Sequence, residues 1–247
     1  VICATRGNHG QSVAFAAQKF GAKAVVVVPH GNNPEKNRAM AELGAEIVEY
    51  GRDFDEAKEK VAKLTQQHGY RYIKSANEPR LIEGVGTYAL EIHQELRDVD
   101  FIFVPIGLGS GLSGNCLVAE GLNSKVELIG CQAAAAPAVG KSILENRWVE
   151  TETADTVADG LATRVPEELT LDIMRRRVGD VVFVSEEEIE EGIRLFLSFT
   201  HNLAEGAAAA ALSAALKRKE KIKNKKAVIV LTGANIDRHT LARVLNN

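Results

Sequence analysis

Short apolar runs alternate with amphipathic stretches along almost the whole chain. Runs of strand length occupy residues 1–4, 24–28, 46–49, 70–73, 101–104, 126–131, 181–184 and 227–231. Between them, apolar positions recur at helical spacing over residues 11–20, 34–43, 54–67, 81–96, 111–119, 186–198 and 206–217. Strand and helix in alternation predict parallel β-α-β units and an α/β fold. The punctuation agrees with this pattern. Pro34 suits a first helical turn, where its missing N–H is no loss, and Gly21 and Gly44 stand where helices close.

The polar stretch Ser75-Ala76-Asn77-Glu78-Pro79-Arg80 separates two blocks of such units. A boundary near residue 72 gives a small lobe over residues 1–72 and a large lobe over residues 73–247, unequal and with mainly parallel sheets. Ligands of such folds collect beyond the carboxyl ends of strands, commonly where lobes meet.

Composition narrows the partners. The chain has 247 residues, 45% of them hydrophobic, and a formal net charge of -3, which offers no attraction to nucleic acid or an anionic membrane. The one basic run, from Lys217 to Lys226, contains no aromatic residue for base stacking and reads as a solvated helix end and loop. Cys3, Cys116 and Cys131 are odd in number and set among apolar residues, so they suggest neither disulfides nor zinc, and a cytoplasmic location is expected. No apolar run has the length of a membrane span, and no signal peptide is visible. Val1 opens the chain in what reads as mid-strand, so an N-terminally truncated sequence is expected.

Three strand ends carry candidate chemistry. Ala4-Thr5-Arg6-Gly7-Asn8-His9-Gly10-Gln11 places polar side chains between an apolar run and a helix whose first N–H groups lack partners. That is an anion site, or equally an ordinary helix cap and turn. Val104-Pro105-Ile106-Gly107-Leu108-Gly109-Ser110-Gly111 runs into a second helix, and its glycines let backbone N–H groups converge on phosphate. The same stretch satisfies G-x-G-x-x-G over Gly109 to Gly114, but the next strand ends at neutral Gln132 where a dinucleotide site wants an acid. In the third, Thr232 follows the last apolar run, either as a hydroxyl for an uncharged ring nitrogen or as the cap of a following helix.

Together these strand ends resemble the fold-type II pyridoxal phosphate (PLP) enzymes, the tryptophan synthase β-like fold, and in particular the threonine and serine dehydratases. Further similar stretches follow in the family's order: Val28-Pro29-His30-Gly31-Asn32-Asn33-Pro34-Glu35-Lys36-Asn37, Glu83-Gly84-Val85-Gly86-Thr87, Ala158-Asp159-Gly160-Leu161-Ala162 and Ala204-Glu205-Gly206-Ala207-Ala208. The resemblance implies that Gly107, Leu108, Gly109, Ser110 and Gly111 hold the PLP phosphate. It gives Asn8 the ring hydroxyl, Thr232 the pyridine nitrogen, and Thr5, Gly7 and His9 the substrate carboxylate. Glu205 would lie near the ring. The implied reaction converts L-threonine, L-serine or a related β-hydroxy amino acid to a 2-oxo acid and ammonia. It needs a lysine that forms a Schiff base with PLP and removes the Cα proton.

Departures from the family pattern matter too. In similar enzymes that lysine precedes the segment matching Thr5 to Gln11, so it is expected upstream of Val1; the catalytic residue is unassigned, and without that lysine the sequence as given is expected to be inactive. Arg6 occupies a position where serine racemases carry a serine base; arginine cannot act as one, so racemisation is not expected, and a larger or more anionic substrate is one use for its charge. Gln132 replaces a carboxylate with which several relatives bind a divalent cation, so no metal is expected. Leu108 and Ser110 replace glycines of the phosphate loop while keeping their N–H groups. The chain is expected to act on small amino acids as a homo-oligomer. The alternatives are a non-catalytic ligand-binding protein of the same fold and a nucleotide-binding α/β protein.

Overall fold

The computed structural model describes residues 1–246. In chain order, β1 (Ile2–Ala4), α1 (Asn8–Lys19), β2 (Val25–Val28), α2 (Pro34–Glu42), β3 (Glu46–Glu49) and α3 (Phe54–His68) come first. There follow α4 (Pro79–Glu95), β4 (Phe101–Pro105), α5 (Ser110–Gly121), β5 (Glu127–Ala133), α6 (Ala138–Leu144), a 3-10 turn at Asp159–Leu161 and α7 (Glu168–Arg177). The chain continues with β6 (Asp180–Val184), α8 (Glu186–Leu195), α9 (Gly206–Lys217), α10 (Lys219–Ile222), β7 (Ala227–Ile229) and α11 (Arg238–Asn246). Two compact units result, one of Val1–Ser75 with Asp237–Leu241, the other of Ala76–Ile236 with the residues from Ala242 onward.

The first unit is built on a parallel sheet of order β1-β2-β3. The four valines of β2 are all buried, as expected of a central parallel strand covered on both faces. The apolar run at residues 70–73 forms no full strand and makes a single parallel bridge, Tyr72 to Ile2. Its backbone is still tied to β1, since Ile2 N–H donates to the Arg71 carbonyl and Ile73 N–H to the Ile2 carbonyl. That pairing carries the unit past residue 72 to Ser75. Pro34 opens α2 behind Asn33, whose side chain accepts the Glu35 and Lys36 N–H groups. Gly21 and Gly44 follow α1 and α2 with φ of 65° and 86°, a left-handed turn that stops a helix.

The second unit has a parallel sheet of order β6-β5-β4-β7. Ile102, Val104, Ile106, Leu112, Leu128 and Met174 lie in its core. Strand β7 is shorter than its apolar run: pairing with β4 covers Ala227–Ile229, Val230 N–H still donates to the Phe103 carbonyl, and Leu231 and Thr232 continue beyond. Helix α8 keeps α-helical geometry only to Leu195 and passes into a π-helical turn over Phe196–Thr200, where the Thr200 hydroxyl donates to the Phe196 carbonyl at 2.7 Å. The helices α6, α7, α10 and α11 are not foreseen by the apolar periodicity.

Five of the seven cations of the basic run pair with carboxylates of the second unit. Lys217 pairs with Glu188, Arg218 with Asp180, Lys221 with Glu127, Lys225 with Asp100 and Lys226 with Asp98. These five cations balance local carboxylates. Among the described residues, no helix is long and apolar enough to cross a membrane.

Candidate active site

In the first unit, α1 starts at Asn8, earlier than its apolar pattern indicates, so Asn8 and His9 belong to its first turn. The N-cap residue, Gly7, has no side chain to satisfy that turn, and Thr5 does so from two residues before it. Thr5 is buried, and its Oγ1 accepts the N–H groups of Gly7 at 2.9 Å and Gly10 at 3.2 Å. With both lone pairs occupied, the hydroxyl of Thr5 keeps only its proton to offer. Gly10 admits this closeness: a β-carbon there would stand 2.5 Å from Thr5 Cγ2 and 2.4 Å from Met40 Sδ.

His9 is held from the far side. Its Nε2 lies 2.9 Å from the Ile73 carbonyl, a partner that can only accept, so the proton sits on Nε2. Burial pushes the His9 pKa down, against a smaller upward pull from that bond, and the ring is neutral near pH 7. The imidazole thus ties α1 to the chain crossing beside β1, while the backbone N–H of His9 belongs to the unpaired first turn. Asn8 is exposed at the helix start, and Arg6 is half-buried between β1 and α1.

In the second unit, β4 leads through Gly107, Leu108 and Gly109 into Ser110 and Gly111 at the start of α5. No side chain caps α5, and no acidic residue occupies its first turn. Its first N–H groups are therefore donors without intrahelical partners at the positive end of the helix dipole. The carbonyls of the same loop are tied back by side chains that sequence reasoning did not single out. Thr170 Oγ1 donates to the Leu108 carbonyl at 2.7 Å, and Thr163 Oγ1 lies 3.5 Å from that of Gly107. The Gly111 carbonyl takes Asn115 Nδ2 at 2.9 Å and the Tyr88 hydroxyl at 3.2 Å. Desolvation pushes the Tyr88 pKa up to about 12, so it stays a protonated donor.

Two glycines of the loop are dictated by packing as well as by ligand approach. A β-carbon on Gly107 would stand 2.3 Å from the Gly160 carbonyl oxygen, and one on Gly109 would stand 2.4 Å from Met174 Cε. Gly109 also has φ +91°, the left-handed region that L side chains rarely enter. Gln132, near the end of β5, packs against Gly140 of α6. It is fully buried, its Oε1 accepts the Gly140 N–H at 2.7 Å, and its Nε2 has no hydrogen-bond partner among the described residues.

Thr232 is exposed beyond the end of β7. It is not a helix cap, because α11 begins only at Arg238 and Asp237 Oδ1 accepts the Thr240 N–H at 2.9 Å. The turn after Thr232 is gripped by Glu205, a buried residue just before α9. Its Oε2 accepts the Asn235 N–H at 3.1 Å, and its own N–H donates to the Gly233 carbonyl at 3.1 Å. The donor set suits an anionic phosphate at the loop and an uncharged nitrogen at Thr232: unpaired N–H groups with their carbonyls turned away, and a neutral hydroxyl.

Comparison with known proteins gives a match to the family described as pyridoxal-phosphate dependent enzyme over residues 1–233. An L-threonine ammonia-lyase of Thermotoga maritima is 36% identical over 246 residues, which cover 100% of this chain and 61% of the relative. One of Geobacter sulfurreducens is 38% identical over 245 residues, covering 99% of this chain and 61% of the relative. This chain thus spans about three fifths of the length of those two relatives. The solved structure of the processed form of threonine deaminase isoform 2 from Solanum lycopersicum superposes with a TM-score of 0.92 at 31% identity, covering 100% of this chain and 72% of that one.

Proposed function

The chain belongs to the pyridoxal-phosphate dependent enzyme family, and from that premise we propose that it serves as a PLP-dependent lyase acting on L-threonine, L-serine or a related β-hydroxy amino acid. The products are a 2-oxo acid and ammonia. The observation that carries this reading is the uncapped start of α5, whose loop presents N–H groups while Thr170, Asn115 and Tyr88 hold its carbonyls back.

In this reading Gly107, Leu108, Gly109, Ser110 and Gly111 receive the cofactor phosphate, Asn8 bonds the ring hydroxyl, and Thr232 meets the pyridine nitrogen. Bound PLP supplies the electron sink that lets bonds at Cα and Cβ of the amino acid break in turn. Thr232 has no charge with which to hold the ring nitrogen protonated, a setting suited to prompt elimination. The hydrogen bonds already made near β1 narrow which groups this reading assigns to the carboxylate. Thr5 offers its hydroxyl proton and His9 its backbone N–H, whereas the Gly7 N–H is already given to Thr5. No residue of the sequence is assigned the Schiff-base role. The substrate is a small molecule, and cytoplasmic homo-oligomers are the expected form.

The test is direct. Incubating the whole gene product with PLP and L-threonine or L-serine should release 2-oxo acid and ammonia in equal amounts. PLP binding with no oxo acid from any β-hydroxy amino acid refutes the reading.

A further inference from the structure

The loop of residues 107–109 is followed step by step by a later stretch of the chain. The Gly160 carbonyl and Thr163 hydroxyl lie at Gly107, Thr170 donates to Leu108, and Met174, one helical turn beyond Thr170, fills the space where Gly109 lacks a side chain. Thr170 and Met174 have no exposed surface. Both belong to α7, which therefore forms the floor of the loop.

A trans peptide points its C=O and the following N–H in opposite directions. Drawing the Leu108 carbonyl toward Thr170 therefore turns the Gly109 N–H away from α7. The same logic links the Gly107 carbonyl to the Leu108 N–H and the Gly111 carbonyl to the Leu112 N–H. The Leu108 bond is the shortest of these, at 2.7 Å, and it is buried. The Thr170 backbone is fixed in turn, because Ser113 Oγ of α5 lies 3.3 Å from its carbonyl. Floor and cradle are thus braced in both directions.

We propose that Thr170 is a positioning residue for anion binding, aiming the Gly109 N–H at the phosphate without touching the ligand itself. The inference rests on the phosphate role given to residues 107–111 above, and it makes cofactor affinity depend on a helix that contributes no atom to the ligand. A loop shaped by α7 is a preformed receptor, so inorganic phosphate alone should bind it.

The experiment compares the parent protein with Thr170→Val and Thr170→Ser, titrating PLP, pyridoxal without its phosphate, and inorganic phosphate followed by phosphorus NMR. Thr170→Val should weaken PLP and inorganic phosphate about tenfold while leaving pyridoxal unchanged, the size expected for one lost buried hydrogen bond. Thr170→Ser, which keeps the hydroxyl, should stay within about twofold of the parent. Equal weakening of PLP and pyridoxal overturns the inference in favour of a general loss of structure. Unchanged PLP affinity in the valine variant overturns it while leaving the proposed function intact. A parent that binds inorganic phosphate but not PLP removes the proposed function; the inference then stands if valine still weakens phosphate and falls if it does not. A parent that binds neither ligand overturns both.

Discussion

A β-carbon on Gly114 of α5 would stand 2.8 Å from the Gly86 Cα of α4, and 2.9 Å from the Gly86 nitrogen. Two helix backbones meet there with no side chain between them, and backbone cannot move aside as a flexible side chain does. Because α5 opens at the glycine-rich loop, this contact also sets where the loop sits. Gly114→Ala should therefore destabilise the protein by about 1–3 kcal/mol, the usual cost of overpacking a tight contact. Gly84, on the same helix as Gly86, is the control: nothing lies within 4 Å of its added β-carbon. Gly84→Ala should stabilise by roughly 0.5–1 kcal/mol through a less flexible unfolded chain. Urea denaturation of both variants checks the pair, and the same sign of change in both contradicts it.

Glu205 and the turn behind Thr232 give a second prediction. The carboxylate accepts one N–H of that turn while its backbone N–H secures a carbonyl two residues earlier, so the turn is held at both ends. Glu205→Ala removes the acceptor and strands the Asn235 N–H, at a cost of about 1–3 kcal/mol. Glu205→Gln keeps a carbonyl oxygen at the same reach and should recover most of that loss. Thermal unfolding reads the stability, and hydrogen exchange at Asn235 reads the turn. An exchange rate in the alanine variant equal to the parent's would count against the clamp.

The outline of both units was legible because its signals are local. A strand-length apolar run, a glycine and a helical pattern lie within a dozen or so residues around Thr5 to Gln11 and around Val104 to Gly114. The floor of the loop was not legible, for two physical reasons. Leu169, Leu171 and Ile173 alternate at a period of two, which imitates a strand, although the residues fold as helix α7. The bonds from Thr163 and Thr170 to the loop also join residues 56 and 62 positions apart, a separation that no spacing rule detects. The cap role open to Thr232 fails for a related reason. A hydroxyl after an apolar run looks like a cap until the next helix is seen to start at Arg238. His9 had the residue type of a ligand donor, but its ring is spent on Ile73, a partner contributed by the crossing chain.

The doubly accepting hydroxyl of Thr5 yields a third prediction. Thr5→Val leaves the buried N–H groups of Gly7 and Gly10 with no acceptor while keeping the side-chain shape nearly constant. Each stranded donor costs about 1–3 kcal/mol, so the valine variant should lose at least roughly 2 kcal/mol of stability. Thr5→Ser should lose much less, since it keeps the oxygen and removes only a methyl group. If valine and serine prove equally destabilising, packing by the methyl group, not hydrogen bonding, holds the turn.

His93 provides the pH-dependent case. It is buried on α4 in the row Ile82, Gly86, Ala89, and its Nε2 has no hydrogen-bond partner. Burial pushes its pKa below the ordinary histidine value. The folded protein then resists a proton that the unfolded chain accepts near pH 6.5, so the unfolded state binds more protons as the solution is acidified. Stability is accordingly full above that pH and falls as pH drops through it. His93→Leu removes both the stranded nitrogen and the titration. At pH 7.5 the variant should equal or exceed the parent by about 1 kcal/mol, because an unsatisfied buried polar group is replaced by an apolar one of similar size. Its advantage should widen at pH 5.5, where only the parent still has this histidine to protonate on unfolding. Denaturation midpoints at the two pH values measure this, and an advantage that stays constant or shrinks on acidification shows that His93 takes up its proton as readily folded as unfolded.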